Sequence, residues 1–346
     1  MGAGEMSLST ILITAVNALF PLIITILLGY MLKQKGFLTK EFLRVGNWIV
    51  FNICLPAMLF VNVYDIAGFS SINWDIVLYA IAAFFLVVAV GYVITILTTP
   101  VPERRGVIWQ CTFRSNFGII GLSLAAALGG DEAVAVAAIV SSFTVPLFNV
   151  VSVIALSVFT DGGKGKTSVK KIVLNILKNP LILGVAAGLA VMGLRELQNA
   201  LFGEVVFSIQ RDTTFIYKVL QNLKTMCTPL ALLVLGGQFE FSAVKGLFKE
   251  ILSGTLSRIV MAPLIGIGCA ILVSTFTDWL ICGVNEYPAL IAMFGSPVAV
   301  SSAVMAGNMG SDEQLATQLV VWTSIFSILT IFAQVCILMA MGLLAV

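Results

Sequence analysis

Phe294-Gly295-Ser296-Pro297-Val298-Ala299-Val300-Ser301-Ser302 lies inside an otherwise apolar run. Pro297 removes a backbone donor, and its ring clashes with the carbonyl four residues back, so a helix passing here is broken. A break exposes unpaired backbone groups, and hydrocarbon has no water to satisfy them. Irregular backbone survives in a membrane only where protein or a wet cavity surrounds it. In transporters such breaks carry the substrate and ion sites. The stretch therefore predicts one half of a transport site, with Pro297 marking the helix break.

The rest of the chain fits a bilayer. Of 346 residues, 59% are hydrophobic and only 10% charged, where a soluble domain has about a quarter charged. The fold class predicted is an all-α polytopic membrane protein. A net charge of +2 points to no nucleic-acid partner, and the absence of His excludes His proton relays, His metal sites and His-based triads. The six cysteines (Cys54, Cys111, Cys227, Cys269, Cys282 and Cys336) lie in or near apolar runs without a metal-type CxxC pair. They read as small core residues. The first apolar run lacks a basic leader and a small-residue cleavage site, so it is read as a retained helix.

A membrane-spanning helix needs about 20 apolar residues. Reading between charges gives ten candidates: Leu8–Leu32, Leu43–Tyr64 with Pro56, Ile76–Leu97, Val107–Leu128 with Arg114, and Ala133–Phe159; then a short Pro180–Leu194, a span with Pro229 ending near Phe239, Arg258–Phe276, Tyr287–Asn308 and Leu315–Leu344. A basic, Gly-containing linker at 161–179 divides residues 1–160 from 180–346. The segment from Arg195 to Asp212 is mixed and reads as amphipathic or re-entrant. Lysine and arginine cluster after the first, third, fifth and seventh spans, which puts those loops in the cytoplasm and the N-terminus outside. Arg195, Arg211, Lys218 and Lys224 disagree with that pattern.

The two halves echo each other. Cys54-Leu55-Pro56 matches Cys227-Thr228-Pro229, and Gly129-Gly130-Asp131-Glu132 matches Gly310-Ser311-Asp312-Glu313. Each pair falls at the same place in a five-span unit. Five is odd, so the second unit runs upside down relative to the first, an inverted-topology repeat of the kind secondary carriers use. The fourth span then becomes the counterpart of the ninth. At 1.5 Å per residue, Arg114 and Pro297 each lie roughly 10–15 Å deep. Two broken helices entering from opposite faces meet there, and their half-helix N-termini offer partial positive charge to an anion.

Arg114 is the sharpest single signal. An Arg at mid-membrane costs roughly 2.5–3.5 kcal/mol on insertion scales, so it faces the bundle interior or water. It reads as the counter-charge for a carboxylate, against snorkelling to the interface or pairing within the protein. Ser115, Asn116 and Gly118 favour a local break, and Ser296 and Ser301 flank Pro297. These seven residues, Arg114, Ser115, Asn116, Gly118, Ser296, Pro297 and Ser301, are the substrate-binding candidates. Asn52, Asn116 and Ser296 are candidate ligands for a coupling ion, Na+ or H+. Pro56 and Pro229 read as kinks or hinges, and the acidic pairs at 131–132 and 312–313 as helix caps. No nucleophile–base constellation stands out, and no carboxylate lies clearly in mid-membrane, which argues against an enzyme and leaves proton coupling without an obvious carrier.

Ile53-Cys54-Leu55-Pro56-Ala57, Arg114-Ser115-Asn116-Phe117-Gly118 and Ser296-Pro297-Val298-Ala299 followed by Ala306 resemble the auxin efflux carrier family, which includes plant PIN carriers and bacterial malonate-type permeases. The resemblance covers nearly the whole chain. It implies ten helices in two inverted five-helix repeats, with broken helices four and nine crossing at the site. It implies a scaffold of helices one, two, six and seven beside a transport domain of helices three to five and eight to ten, a fold shared with bile acid:sodium symporters, and a homodimer. The chain departs from the plant carriers in its short central linker and in having no proline in the fourth span. The expected function is secondary or facilitated transport of a small carboxylate across the cytoplasmic membrane, by rocking or elevator-like alternating access. The other reading is a membrane receptor or sensor on a transporter-like scaffold, which binds ligand without flux.

Overall fold

The computed structural model describes residues 8–65, 73–159, 177–277 and 279–344. The described residues are helical, apart from connections and one isolated bridge. In chain order the helices are α1 (Leu8–Gln34), α2 (Lys40–Tyr64), α3 (Trp74–Thr98), α4 (Pro102–Phe113), α5 (Leu122–Phe159), α6 (Pro180–Phe202), α7 (Ile209–Asp212), α8 (Thr214–Gln238), α9 (Ala243–Phe276), α10 (Glu286–Leu290), α11 (Ser301–Asn308) and α12 (Glu313–Ala340). Seven of them, α2, α3, α5, α6, α8, α9 and α12, are long and apolar enough to cross a membrane.

Local chemistry sets the ends. Thr39 caps α2 by accepting from the Phe42 N–H at 3.1 Å. Asn179 caps α6 by accepting from the Leu181 N–H, with Pro180 at its first turn, and Gly203 ends that helix in the left-handed conformation (φ 75). Such caps satisfy backbone groups that the helix itself leaves orphaned.

Among the described residues four π turns interrupt the helices: Val50–Cys54, Phe117–Gly121, Ser257–Met261 and Ile291–Gly295. Three of them end two residues before a proline, Pro56, Pro263 or Pro297. The wider turn makes room for the proline ring, which would clash with the carbonyl four residues back. The fourth, Phe117–Gly121, follows a break that has no proline. A glycine at positive φ bends the chain at each Gly-acidic echo, Gly130 (φ 64) inside α5 and Gly310 (φ 72) between α11 and α12, but at different positions of the motif, since Gly310 is the counterpart of Gly129.

The core lies around the crossing of the two interrupted segments. Tyr287, Ala289, Leu290, Ile291 and Ala292 are fully buried, against Phe113, Phe117, Ile120 and Leu124. Large apolar residues such as Leu78, Phe85 and Val93 on α3, and Leu256 and Leu264 on α9, point outward. Lipid is as apolar as leucine, so helix association rests on close packing and hydrogen bonds.

Two expected boundaries differ. The sixth span does not stop at Leu194: α6 continues through Arg195, whose guanidinium stacks 4.8 Å over the Tyr64 ring, to Phe202. The eighth does not begin at Arg258. The helix starts at Ala243 and Arg258 lies in its interior, because a buried set of carbonyls satisfies the charge. The lysine-rich part of the expected linker, 161–176, lies outside the described residues.

Candidate functional site

Arg114 (φ −84, ψ 95) and Asn116 (φ −80, ψ 46) leave the helical conformation after α4. Ser296 (φ −62, ψ 149) does the same after the Ile291–Gly295 turn. The two breaks lie against each other, and Ser115 and Val298 form an antiparallel bridge. The Asn116 N–H donates to the Pro297 carbonyl at 2.8 Å, and the Ala299 N–H donates to the Arg114 carbonyl at 3.1 Å. The Val298 N–H donates to Thr323 Oγ1 of α12 at 3.1 Å. Each break thus supplies partners that its own helix has lost. The approach requires a glycine: a Cβ at Gly121 would sit 2.7 Å from the Ala292 carbonyl oxygen.

Arg258 from α9 closes the remaining gap. It is 1% exposed, and all five of its N–H donors are used. Nε donates to the Ser296 carbonyl at 2.9 Å. Nη1 donates to the carbonyls of Thr112 and Phe113 at 3.1 and 3.3 Å. Nη2 donates to those of Met293 and Phe294 at 2.9 and 2.7 Å. These are the last carbonyls of the two incoming helices, which carry partial negative charge. One guanidinium caps both.

The two outgoing helices begin on the other side of the breaks, at Phe117 and Ser301. Their N-terminal ends carry partial positive charge. Gly118 and Ser301 both line a cavity of about 60 Å³ there, together with Arg114, Ser115, Asn116 and Asn149. Its far wall comes from α2 (Leu55, Met58, Asn62) and α8 (Cys227, Thr228). Arg114 is 3% exposed. Its Nη2 donates to Asn149 Oδ1 at 2.7 Å and to Ser301 Oγ at 3.0 Å, and its Nη1 faces Met305 Sδ at 2.6 Å. Among the described residues no acidic side chain lies within 4.0 Å of it. Ser115 Oγ and Asn116 Nδ2 are buried without partners among the described residues. A buried cation with no acidic partner among the described residues, two helix N-termini and hydroxyl and amide groups without partners there meet at this cavity, each a group of the kind that binds anions.

The cavity shares Leu59, Asn62, Gly118 and Val145 with a second one of about 170 Å³. That one reaches Asp65 and Lys224, an ion pair at 3.5 Å joining the end of α2 to α8. The path therefore leads away from the end of the molecule that holds Lys33 and Lys40.

The structure brings together Arg114, Ser115, Asn116, Gly118 and Ser301. It places Pro297 in the bridge, where its carbonyl is used. Ser296 is fully buried, its hydroxyl bonded to the Ala292 carbonyl at 2.6 Å and its own carbonyl held by Arg258, away from the cavity. Asn52 donates to the Trp48 carbonyl within α2 and does not line the cavity. Pro56 follows a π turn in a continuous α2, and Pro229 sits inside an uninterrupted α8. Asn149 and Arg258 escape the sequence reading. Asn149 is a buried amide in an apolar helix, and Arg258 is preceded by the charge-free stretch from Ile251 to Ser257; those were the available signals.

Residues 14–333 match the family described as membrane transport protein. The chain is also 21% identical, over 314 residues, to a protein named "Uncharacterized transporter" from Methanothermobacter thermautotrophicus (strain Delta H). That similarity covers 89% of this chain and 93% of the relative.

Proposed function

The chain belongs to the membrane transport protein family, that of the auxin efflux carriers, and we propose that it is a secondary carrier of a small carboxylate. The observation that carries this reading is Arg114: buried, without an acidic partner, and facing a cavity between two helix N-termini. A carboxylate would take charge-assisted hydrogen bonds from that guanidinium. The cavity of about 60 Å³ shares its lining with the one of about 170 Å³, and the two together suit a short mono- or dicarboxylate.

In this reading the chain crosses the cytoplasmic membrane ten times in two inverted five-helix units, counting α4 with the first part of α5, and α10 with α11, as broken crossings. The helices α1, α2, α6 and α8 form a scaffold. The bridged breaks and the helices around them, α3 to α5 and α9 to α12, move past it as the transport body. The N-terminus is outside, so the cavity path toward Asp65 and Lys224 leads outward. Residues on the transport body hold the anion, while α2 and α8 form the wall it passes.

Labelled malonate and acetate in proteoliposomes test the reading. Counterflow of either anion, lost in Arg114→Ala, is the expected result. Binding without counterflow would make the protein a receptor, and unchanged affinity in Arg114→Ala would remove that residue from the site.

A further inference from the structure

We infer that Glu313 is a proton-binding site, and that its protonation releases the transport body from the scaffold at the end of the molecule opposite the anion path. The inference rests on the carrier reading above.

Glu313 opens α12 but does not cap it. That role belongs to Asp312, whose Oδ1 accepts from the Leu315 N–H at 2.9 Å. Glu313 Oε1 instead accepts from Asn47 Nδ2 of α2 at 2.8 Å and from Gln238 Nε2 at the end of α8 at 2.9 Å. The two neighbouring carboxylates thus face different ways. Asp312 is held by Arg104 of α4 at 3.3 Å, and Arg104 also holds Glu250 of α9 at 2.7 Å. That cluster ties α4, α9 and α12 into one body, whereas Glu313 reaches across to α2 and α8.

The surroundings leave Glu313 without a fixed cation. Among the described residues no lysine or arginine lies within 4.0 Å of it. From α1, Lys33 is paired with Glu240 beyond α8 at 3.6 Å. From α2 come Lys40 and Arg44, the latter near Glu41 at 3.7 Å. From α4 comes Arg104, already engaged, and α11 presents uncharged Gly307 and Asn308. Glu313, Lys33, Lys40, Arg44 and Glu240 line one polar cavity of about 470 Å³, which gives water and protons a way in.

The partners suit both protonation states. An ionised carboxylate only accepts, and two amide N–H groups meet it. One proton from cavity water, bound to a carboxylate oxygen, takes Glu313 from −1 to neutral and turns that oxygen into a donor. It then needs an acceptor. Asn47 is 7% exposed, and its Oδ1 is buried with no partner among the described residues. Turning the Asn47 amide over presents that oxygen to the new O–H. The exchange replaces charge-assisted contacts by neutral ones, so α12 holds less firmly to α2 and α8.

Hydrogen–deuterium exchange of the full-length protein in lipid nanodiscs tests this, comparing wild type with Glu313→Gln at equal pH. In alkaline buffer, peptides covering residues 40–49 and 305–316 are expected to exchange several-fold faster in the variant. In acid the two converge. Gln238→Leu, which removes one donor to the ionised form, moves the wild-type transition to more alkaline pH. In proteoliposomes, Glu313→Gln keeps malonate counterflow but loses its acceleration by an imposed pH gradient. Equal exchange of wild type and variant at both pH values, an unmoved transition in Gln238→Leu, or convergence driven by sodium instead of acid would overturn the inference. If wild type moves no carboxylate at all, the carrier reading fails, while the exchange comparison still decides the role of Glu313.

Discussion

Arg258 holds the carbonyls of Thr112 and Phe113, the two residues that precede Arg114, at 3.1 and 3.3 Å. The two buried arginines thus divide the crossing. One is spent on the negative ends of the incoming helices, and the other is left facing the positive ends of the outgoing ones. Their substitution should separate stability from binding.

Arg258→Ala orphans five buried carbonyls. Each orphan costs about 1–3 kcal/mol, against a total stability of about 5–15 kcal/mol. The variant is expected to lose its monodisperse folded peak in size-exclusion chromatography. Arg258→Lys keeps the charge but has three donors instead of five, and should fold with a lowered Tm.

Arg114→Ala removes a buried cation that has no acidic partner among the described residues, but leaves Asn149 Oδ1 without its donor, so the protein should still fold, with a Tm loss well below that of Arg258→Ala. Carboxylate affinity should fall about 10- to 100-fold, the equivalent of a charged hydrogen bond worth about 1.5–3 kcal/mol. Asn149→Ala frees the guanidinium from its orienting amide and should weaken binding by about tenfold or less. Titration calorimetry with malonate or acetate reads both.

Gly121→Ala places a methyl group 2.7 Å from the Ala292 carbonyl and pushes the crossing apart. Overpacking of this kind costs about 1–3 kcal/mol. Gly118→Ala, whose added Cβ meets nothing within 4 Å, should leave Tm unchanged. Thermal denaturation of the two variants gives the contrast.

Outside the membrane-spanning helices, Asp212 accepts from Arg211 Nε at 3.0 Å and from the Ser208 N–H at 2.7 Å. Those bonds, the arginine first, hold its carboxyl below the usual range. A depressed acid contributes stability above its unfolded pKa and loses it as pH falls through the folded value. Asp212→Asn should therefore lower Tm modestly at neutral pH, with the difference closing in acid.

The break at Pro297 was legible because a proline in an apolar run has one backbone consequence. Arg114 was legible because a charge deep in such a run demands a reason. Arg258 was not: when spans are read between charges, a charge marks an end, and nothing local says that five carbonyls from two other segments will surround it. Ser296 misled for a related reason. Its residue type fits a ligand, but its hydroxyl is spent on its own helix. Glu313 read as a cap by position, and only the fold brings Asn47 and Gln238 to it.

The bridge between Ser115 and Val298 bears on how guests are told apart. On the proposed reading, both jaws of the cradle are fastened to each other and cannot close around a cargo independently. Discrimination then falls to the opposite bank, where Met58 and Thr228 stand. Recutting those two side chains, rather than the cradle, is the route to a carrier with a different diet.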